Sequence, residues 1–420
     1  MGNYRSMNMK KKRRIFNFLK KFVIFIVTLM IIVYGAVFLG HKVFFPMPYT
    51  SHPTISPLKG SGFNLDAASH KQPTSMKEYL PILASQVKNY NLHLNNYWPN
   101  NPEKNQYVIA KQLNDKQAYL IAPNGKITKL NEKEFESYNI HTLNTDGQWS
   151  QFKKNGISGA YITVSPDGLN NYYVFQKYYH LGTYDQFLSY SHELFHSITQ
   201  NDWNSENKFG NIERNEHLED ISARRTRMLL QQELSSAISD KRNREDYIKK
   251  AVSTYINYKE KNKQDYINSG LYDRLEGTAF YYEIISGLYA GYPKQIQNNT
   301  DAYNALQVIF SDDNPAYRVT GSASEGYRIG GYSAILLDML ALQHKEDPNQ
   351  WKLELEKDGN RTPMDMLADM YKDQELPRPT KIPTKKQYQK WIKESETIIP
   401  KITMVQRFFQ LTYSILFRYE

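Results

Sequence analysis

Two histidines four residues apart, with a glutamate beside the first, occur at His192-Glu193-Leu194-Phe195-His196. On a helix, positions i and i+4 share one face a turn apart, so both imidazoles can reach a single cation. Glu193 then stands where it can take a proton from a water activated beside that cation, as a catalytic base. The spacing is that of hydrolytic metal chemistry, with Zn²⁺ as the expected ion. The chain contains no cysteine, so any metal must be held by His, Asp and Glu. A catalytic zinc takes three protein ligands and leaves one position open. One common continuation places a glycine three residues, and a third histidine six residues, after the second histidine. Thr199 and Asp202 occupy those positions here, so the third ligand is expected to be a carboxylate.

Two glutamates qualify. Glu216 follows His196 by 20 residues, within Asn215-Glu216-His217-Leu218-Glu219-Asp220. That stretch resembles the N-E-x-x-x-D segment of the thermolysin family, which implies Glu216 as ligand and Asp220 as the outer partner that fixes a histidine tautomer. Glu276 opens Glu276-Gly277-Thr278-Ala279-Phe280-Tyr281-Tyr282-Glu283. This resembles the E-G-x-A-x-Y-x-E segment of the gluzincin aminopeptidases, where the first Glu binds zinc. The second likeness rests on more matched positions, so Glu276 is the preferred third ligand and Glu216 the alternative. The small Gly277 and Ala279 are expected to let this second helix approach the histidine helix closely.

Gly159-Ala160-Tyr161-Ile162-Thr163 stands where gluzincin aminopeptidases carry G-x-M-E-N. The glutamate that would hold a substrate α-amine is missing, which leans the expected activity toward an endopeptidase. An edge strand at this place could still bind an extended peptide by strand addition. Farther on, Gly326-Tyr327-Arg328-Ile329-Gly330-Gly331-Tyr332-Ser333-Ala334-Ile335-Leu336-Leu337-Asp338 is similar to a helix of bacterial membrane-anchored peptidases that carry H-E-x-F-H and E-G-T-A motifs. Tyr327 or Tyr332 is a candidate hydrogen-bond donor to the oxyanion of an amide-hydrolysing site. The resemblance covers about residues 155–370.

These residues need elements to hold them. Apolar spacing near 3.6 marks helices over 184–200, 217–239, 244–262, 276–290, 301–310, 327–344 and 401–417. Thr183 and Gln186 suit a capping box at the first of these. Phe187, Leu188, Tyr190, Leu194, Phe195 and Ile198 give it an apolar face, with the two histidines offset from that stripe. For Glu276 to reach the histidines, 276–290 must pack beside 184–200, with 217–262 looping out as an inserted helical hairpin. Upstream, Ala118–Ala122 and Lys126–Leu130 flank Pro123-Asn124-Gly125, a hairpin signal because Asn-Gly accepts positive φ. A second pair is expected between 159–164 and 172–175, across Ser165-Pro166-Asp167-Gly168. The fold class expected is α+β and, through the resemblance, zincin-like. A small mixed or antiparallel sheet with edge strands lies in an α/β part over 76–182, and a mainly helical catalytic part follows over 183–420.

Compartment is read from the N-terminus. Residues 22–40 carry no charge and would span about 28 Å as a helix, close to the thickness of a bilayer core. Arg5, Lys10, Lys11, Lys12, Arg13, Arg14, Lys20 and Lys21 precede it, so residues 1–42 are expected to form a cytoplasmic basic segment and a single transmembrane helix. Residues 43–75, with Pro46, Pro48, Pro53, Pro57 and Pro73 among Ser, Thr and Gly, read as an extended stalk. The net charge of +10 lies almost wholly in the first 42 residues, so the body is nearly neutral and nucleic acid is not an expected partner. The expectation is a membrane-anchored zinc hydrolase cutting polypeptide outside the cytoplasm. The alternatives are an inert binding or scaffold protein on the same fold, and a zinc hydrolase of non-protein amides such as those of the cell wall.

Overall fold

A computed structural model describes residues 20–22, 24–33, 35, 36, 39, 76–101, 105–112, 117–140, 149–164, 185–204, 209, 220–310 and 322–398. The chain divides into two units, residues 50–400 and the chain ends, 1–49 with 401–420. In the terminal unit, residues 24–33 are helical, and Phe25, Met30, Ile31 and Ile32 each expose 60% or more of their surface. Among the described residues no helix is long and apolar enough to cross a membrane. The stalk 43–75 and the expected helix 401–417 lie outside the described residues.

Within 50–400 the first elements are helix α1 (Met76–Leu92), the short α2 (Leu94–Tyr97), strands β1 (Tyr107–Gln112), β2 (Ala118–Ile121) and β3 (Ile127–Leu130), helix α3 (Glu132–Glu136), and strands β4 (Trp149–Lys154) and β5 (Ile157–Val164). The five strands form one mixed sheet in the order β3-β2-β1-β5-β4, with β1 and β5 parallel and every other pair antiparallel. Side chains alternate across it. Val108, Ala110, Ile121, Ala160 and Ile162 join the main core, whereas Ile109, Ala118, Leu130 and Phe152 form a smaller cluster on the other face.

The Asn124-Gly125 hairpin forms as expected, with Gly125 at φ +82. The second expected pairing, of 159–164 with 172–175, lies partly outside the described residues, since 172–175 are not among them. Within what is described, strand β5 is flanked by β1 on one side and by β4 on the other. Its hairpin partner lies upstream, across Asn155 (φ 50) and Gly156 (φ 80), a second Asn-Gly turn that the expectation passed over. Gly159-Ala160-Tyr161-Ile162-Thr163 is therefore interior, not an edge strand, and the sheet's edges are β3 and β4. Gly159 is needed where it stands, because a Cβ there would meet the Tyr107 carbonyl oxygen of β1 at 1.9 Å.

The helical part follows as α4 (Asp185–Leu194), continued by a π-turn (Phe195–Thr199) and a 3₁₀ turn (Gln200–Asp202). Then come α5 (Ile221–Ser239), α6 (Arg244–Lys261), α7 (Lys263–Gly291), α8 (Asn299–Phe310), α9 (Ser322–His344), α10 (Gln350–Lys357), α11 (Pro363–Asp369) and α12 (Lys385–Ile398). Helix α7 is the axis. From Gly277 to Ala290 every side chain position is buried, because α1, α4 and α9 pack around it. A helix apolar on all sides has no stripe to read, and its polar first half, from Lys263, was left out of the expected range 276–290.

The α5–α6 pair is a hairpin but not an inserted loop. It packs on α9, and the fully buried Arg227 of α5 holds Asp273 of α7 (2.5 and 3.0 Å) and Glu325 of α9 (2.8 Å). Removing one member of such a buried set leaves an uncompensated charge, so the hairpin fixes how α7 and α9 sit.

Helices α7 and α9 touch backbone to backbone. A Cβ on Gly277 would lie 2.5 Å from Gly330 Cα, and one on Gly330 would lie 1.9 Å from the Asp273 carbonyl oxygen. Gly277 thus opens α7 toward α9, not toward the histidine helix as its position in the motif suggested. Gly330→Ala is expected to destabilise the protein by about 2–3 kcal/mol in denaturant unfolding. The overpacking cost exceeds the gain of up to about 1 kcal/mol that alanine brings to a helix interior. A stabilised variant would show that the two backbones do not meet at this point.

Candidate metal centre

Helix α4 carries the histidine motif because its apolar face docks on α7 and the sheet. Phe187, Tyr190 and Leu194 are buried, and Phe195 is stacked on Tyr282 of α7 with ring centroids 4.5 Å apart and edge-on to Trp98 at 5.0 Å. The side chains of Gln186 and Leu188, and residue Thr183, lie outside what is described. His192 sits in the last turn of α4, and His196 lies within the π-turn, a widening often found at functional sites. His192 is 4% exposed, deeper than a cleft-facing ligand was expected to be.

Helix α7 brings Glu276 to this pair across 80 residues of sequence. His192 Nε2 and His196 Nε2 are 3.0 Å apart, and Glu276 Oε2 lies 3.2 Å from the first and 3.3 Å from the second. Three donor atoms that close could hold a metal ion. A tetrahedral ion with bonds near 2.0–2.1 Å has ligand-to-ligand edges of about 3.3–3.4 Å, so the spacing fits. The chemistry fits as well, since two imidazole nitrogens and one carboxylate suit a borderline-soft divalent cation such as Zn²⁺.

The outward-facing ring nitrogens are also engaged. Glu283 Oε2 is 2.7 Å from His192 Nδ1, and Gln200 Oε1 is 2.6 Å from His196 Nδ1. Burial disfavours a charged His192, but hydrogen bonding and charge from Glu276 and Glu283 outweigh it and raise its pKa to about 10. Burial pushes the Glu276 carboxyl up, yet the two histidines draw it well below the usual carboxylate range. A cation entering at neutral pH therefore displaces a proton, and its binding weakens as pH falls.

Tyr327 reaches the centre from α9. Its ring stacks on His192, centroids 5.3 Å apart and planes 5° from parallel. Burial raises its pKa far above the ordinary value, helped by Glu276, with which it is hydrogen-bonded, and by Glu283 and Glu193. It therefore stays protonated, a donor with its O–H among those carboxylates. Glu193 is half-buried beside it. Tyr332 is 1% exposed and packs against Phe280 and Phe310, a core position.

The rival ligand segment is placed only in part. Glu216 lies outside the described residues, and Asp220 caps α5, accepting from the backbone N–H groups of Ser222 (2.8 Å) and Ala223 (3.3 Å). Among the described residues Asp220 thus serves a helix N-terminus, while the outer nitrogens of His192 and His196 face Glu283 and Gln200 instead. Gln200 went unnoticed as a partner of His196. Its position four residues after His196, the same i, i+4 step that relates the two histidines, was the available signal.

Comparison with protein-family models, with curated proteins and with solved structures finds no match for this chain.

Proposed function

We propose that the chain is a membrane-anchored, zinc-dependent metallopeptidase with a zincin-like, gluzincin-type centre, an endopeptidase acting outside the cytoplasm. The observation that carries this reading is the convergence of His192 Nε2, His196 Nε2 and Glu276 Oε2 within 3.0–3.3 Å of one another. These three residues would hold the zinc. When bound, the ion supplies Lewis acidity that polarises an amide carbonyl and acidifies water. Glu193 accepts the proton of the attacking water and delivers it to the leaving nitrogen. Tyr327, held as a neutral phenol, donates a hydrogen bond to the oxyanion of the tetrahedral intermediate.

Metal analysis of the purified full chain tests the centre directly. About one zinc per chain is expected, removed by a chelator and restored by added Zn²⁺. A chain that takes up iron in preference, or no metal at pH 7, would sink the reading. The anchor rests on the uncharged run 22–40 behind its basic flank. Protease added to intact cells is expected to release a soluble fragment by cutting within 43–75. Protection of the domain until the membrane is broken would reverse the orientation.

A further inference from the structure

We propose that Gln200 is a positioning residue of the metal centre, holding the His196 ring in the orientation that bares Nε2 and tying that ring to the helix that carries Glu276. The inference rests on the zinc reading above and deepens it. Gln200 is 8% exposed, and its amide makes three hydrogen-bond contacts. Nε2 donates to the backbone carbonyl of Leu275 (2.9 Å) and to Thr278 Oγ1 (2.8 Å), while Oε1 faces His196 Nδ1 at 2.6 Å.

The direction of each bond follows from the next. The Leu275 carbonyl has no proton to give, so the atom facing it must be the amide nitrogen. The Thr278 hydroxyl already donates to the Arg274 carbonyl at 2.7 Å and is free to accept. Turning the amide over would set Oε1 against the Leu275 carbonyl oxygen and cost two hydrogen bonds in a buried site. With Oε1 fixed as an acceptor, His196 Nδ1 must carry the proton. The lone pair is then on Nε2, the atom 3.0 Å from His192 Nε2 and 3.3 Å from Glu276 Oε2.

The anchors matter as much as the tautomer. Leu275 precedes Glu276 directly and Thr278 follows it by two, so Gln200 grips α7 on either side of the carboxylate ligand. A neutral amide thereby links one ligand helix to the other without adding charge beside the ion.

The test uses the full chain in detergent, with zinc affinity read by competition against a chromophoric chelator. Wild type is expected to bind one Zn²⁺. Gln200→Leu keeps the volume but offers no acceptor, and is expected to weaken zinc binding roughly 10–100-fold, the usual loss when an outer partner of a ligating histidine goes. Gln200→Glu restores the acceptor at Nδ1 but sets its second oxygen against the Leu275 carbonyl, so it should recover only part of the zinc affinity and melt lower than wild type when zinc-free. Melting of the zinc-free proteins reads the structural effect separately. Equal affinity of wild type and Gln200→Leu overturns the role of Gln200 and leaves the metal centre standing, whereas a wild type that binds no zinc overturns both. A measurement on wild type alone guards against misfolding of the variants. The ¹⁵N shifts of His196 in the zinc-free chain at alkaline pH should report the Nδ1–H tautomer, and the Nε2–H tautomer would contradict the proposal.

Discussion

Glu193→Gln is expected to keep zinc and to lose peptide hydrolysis by about 10²–10⁴-fold, the range that a positioned general base contributes. The amide has the shape of the carboxylate but cannot accept the proton of the attacking water. Glu193 is not among the three converging atoms, so its replacement leaves the donor set His192, His196 and Glu276 unchanged. Zinc content and melting should match wild type, and the loss should fall on kcat. The assay needs a peptide library beside cell-wall fragments, because turnover of the fragments alone would favour the non-protein amide reading. Full residual turnover of peptide by Glu193→Gln would remove Glu193 from the mechanism.

Glu276→Gln is expected to lose both zinc and activity. The amide can still present an oxygen, but not the charge that offsets a dication in a site whose other two donors are neutral imidazoles. The fall in zinc affinity should exceed the roughly 100-fold upper range for loss of an outer partner. Glu216→Gln is the matching control and should bind zinc as wild type does. Zinc held normally by Glu276→Gln and lost by Glu216→Gln would hand the ligand role to the thermolysin-like segment.

How much of this was legible follows from which forces act locally. The His192–His196 pair and Glu193 are visible because i, i+4 spacing is a property of one helix. Glu276 was legible only as a pattern, since its approach depends on an aromatic contact, Phe195 on Tyr282, that no local rule specifies. The first Asn-Gly hairpin was found and the second was missed. Strand β5 is paired on both sides, and its parallel neighbour β1 lies more than forty residues upstream, a long-range choice invisible to periodicity. Gly277 reads as a close-approach residue, but the partner expected from the motif was the histidine helix, and α9 takes that place instead. The Arg227–Asp273–Glu325 set joins three helices, and nothing in the spacing of those residues announces it.

The glycine crossing of α7 and α9 also bears on how the site can move. Side chains between two helices act as cushions, because a rotamer change absorbs a shift of an ångström or more. At Gly277 and Gly330 there is no such cushion, and peptide units meet directly. Glu276 and Tyr327 each lie within three residues of that contact, on opposite members of the pair. They therefore behave as one rigid jaw. The histidine helix α4 is seated instead on the rings of Phe187, Tyr190 and Phe195, which can tilt and slide. Under the proposed function, the adjustment that admits a bulky chain is expected to fall on the ring-cushioned seat of α4 and not on the glycine crossing that holds Glu276 near Tyr327.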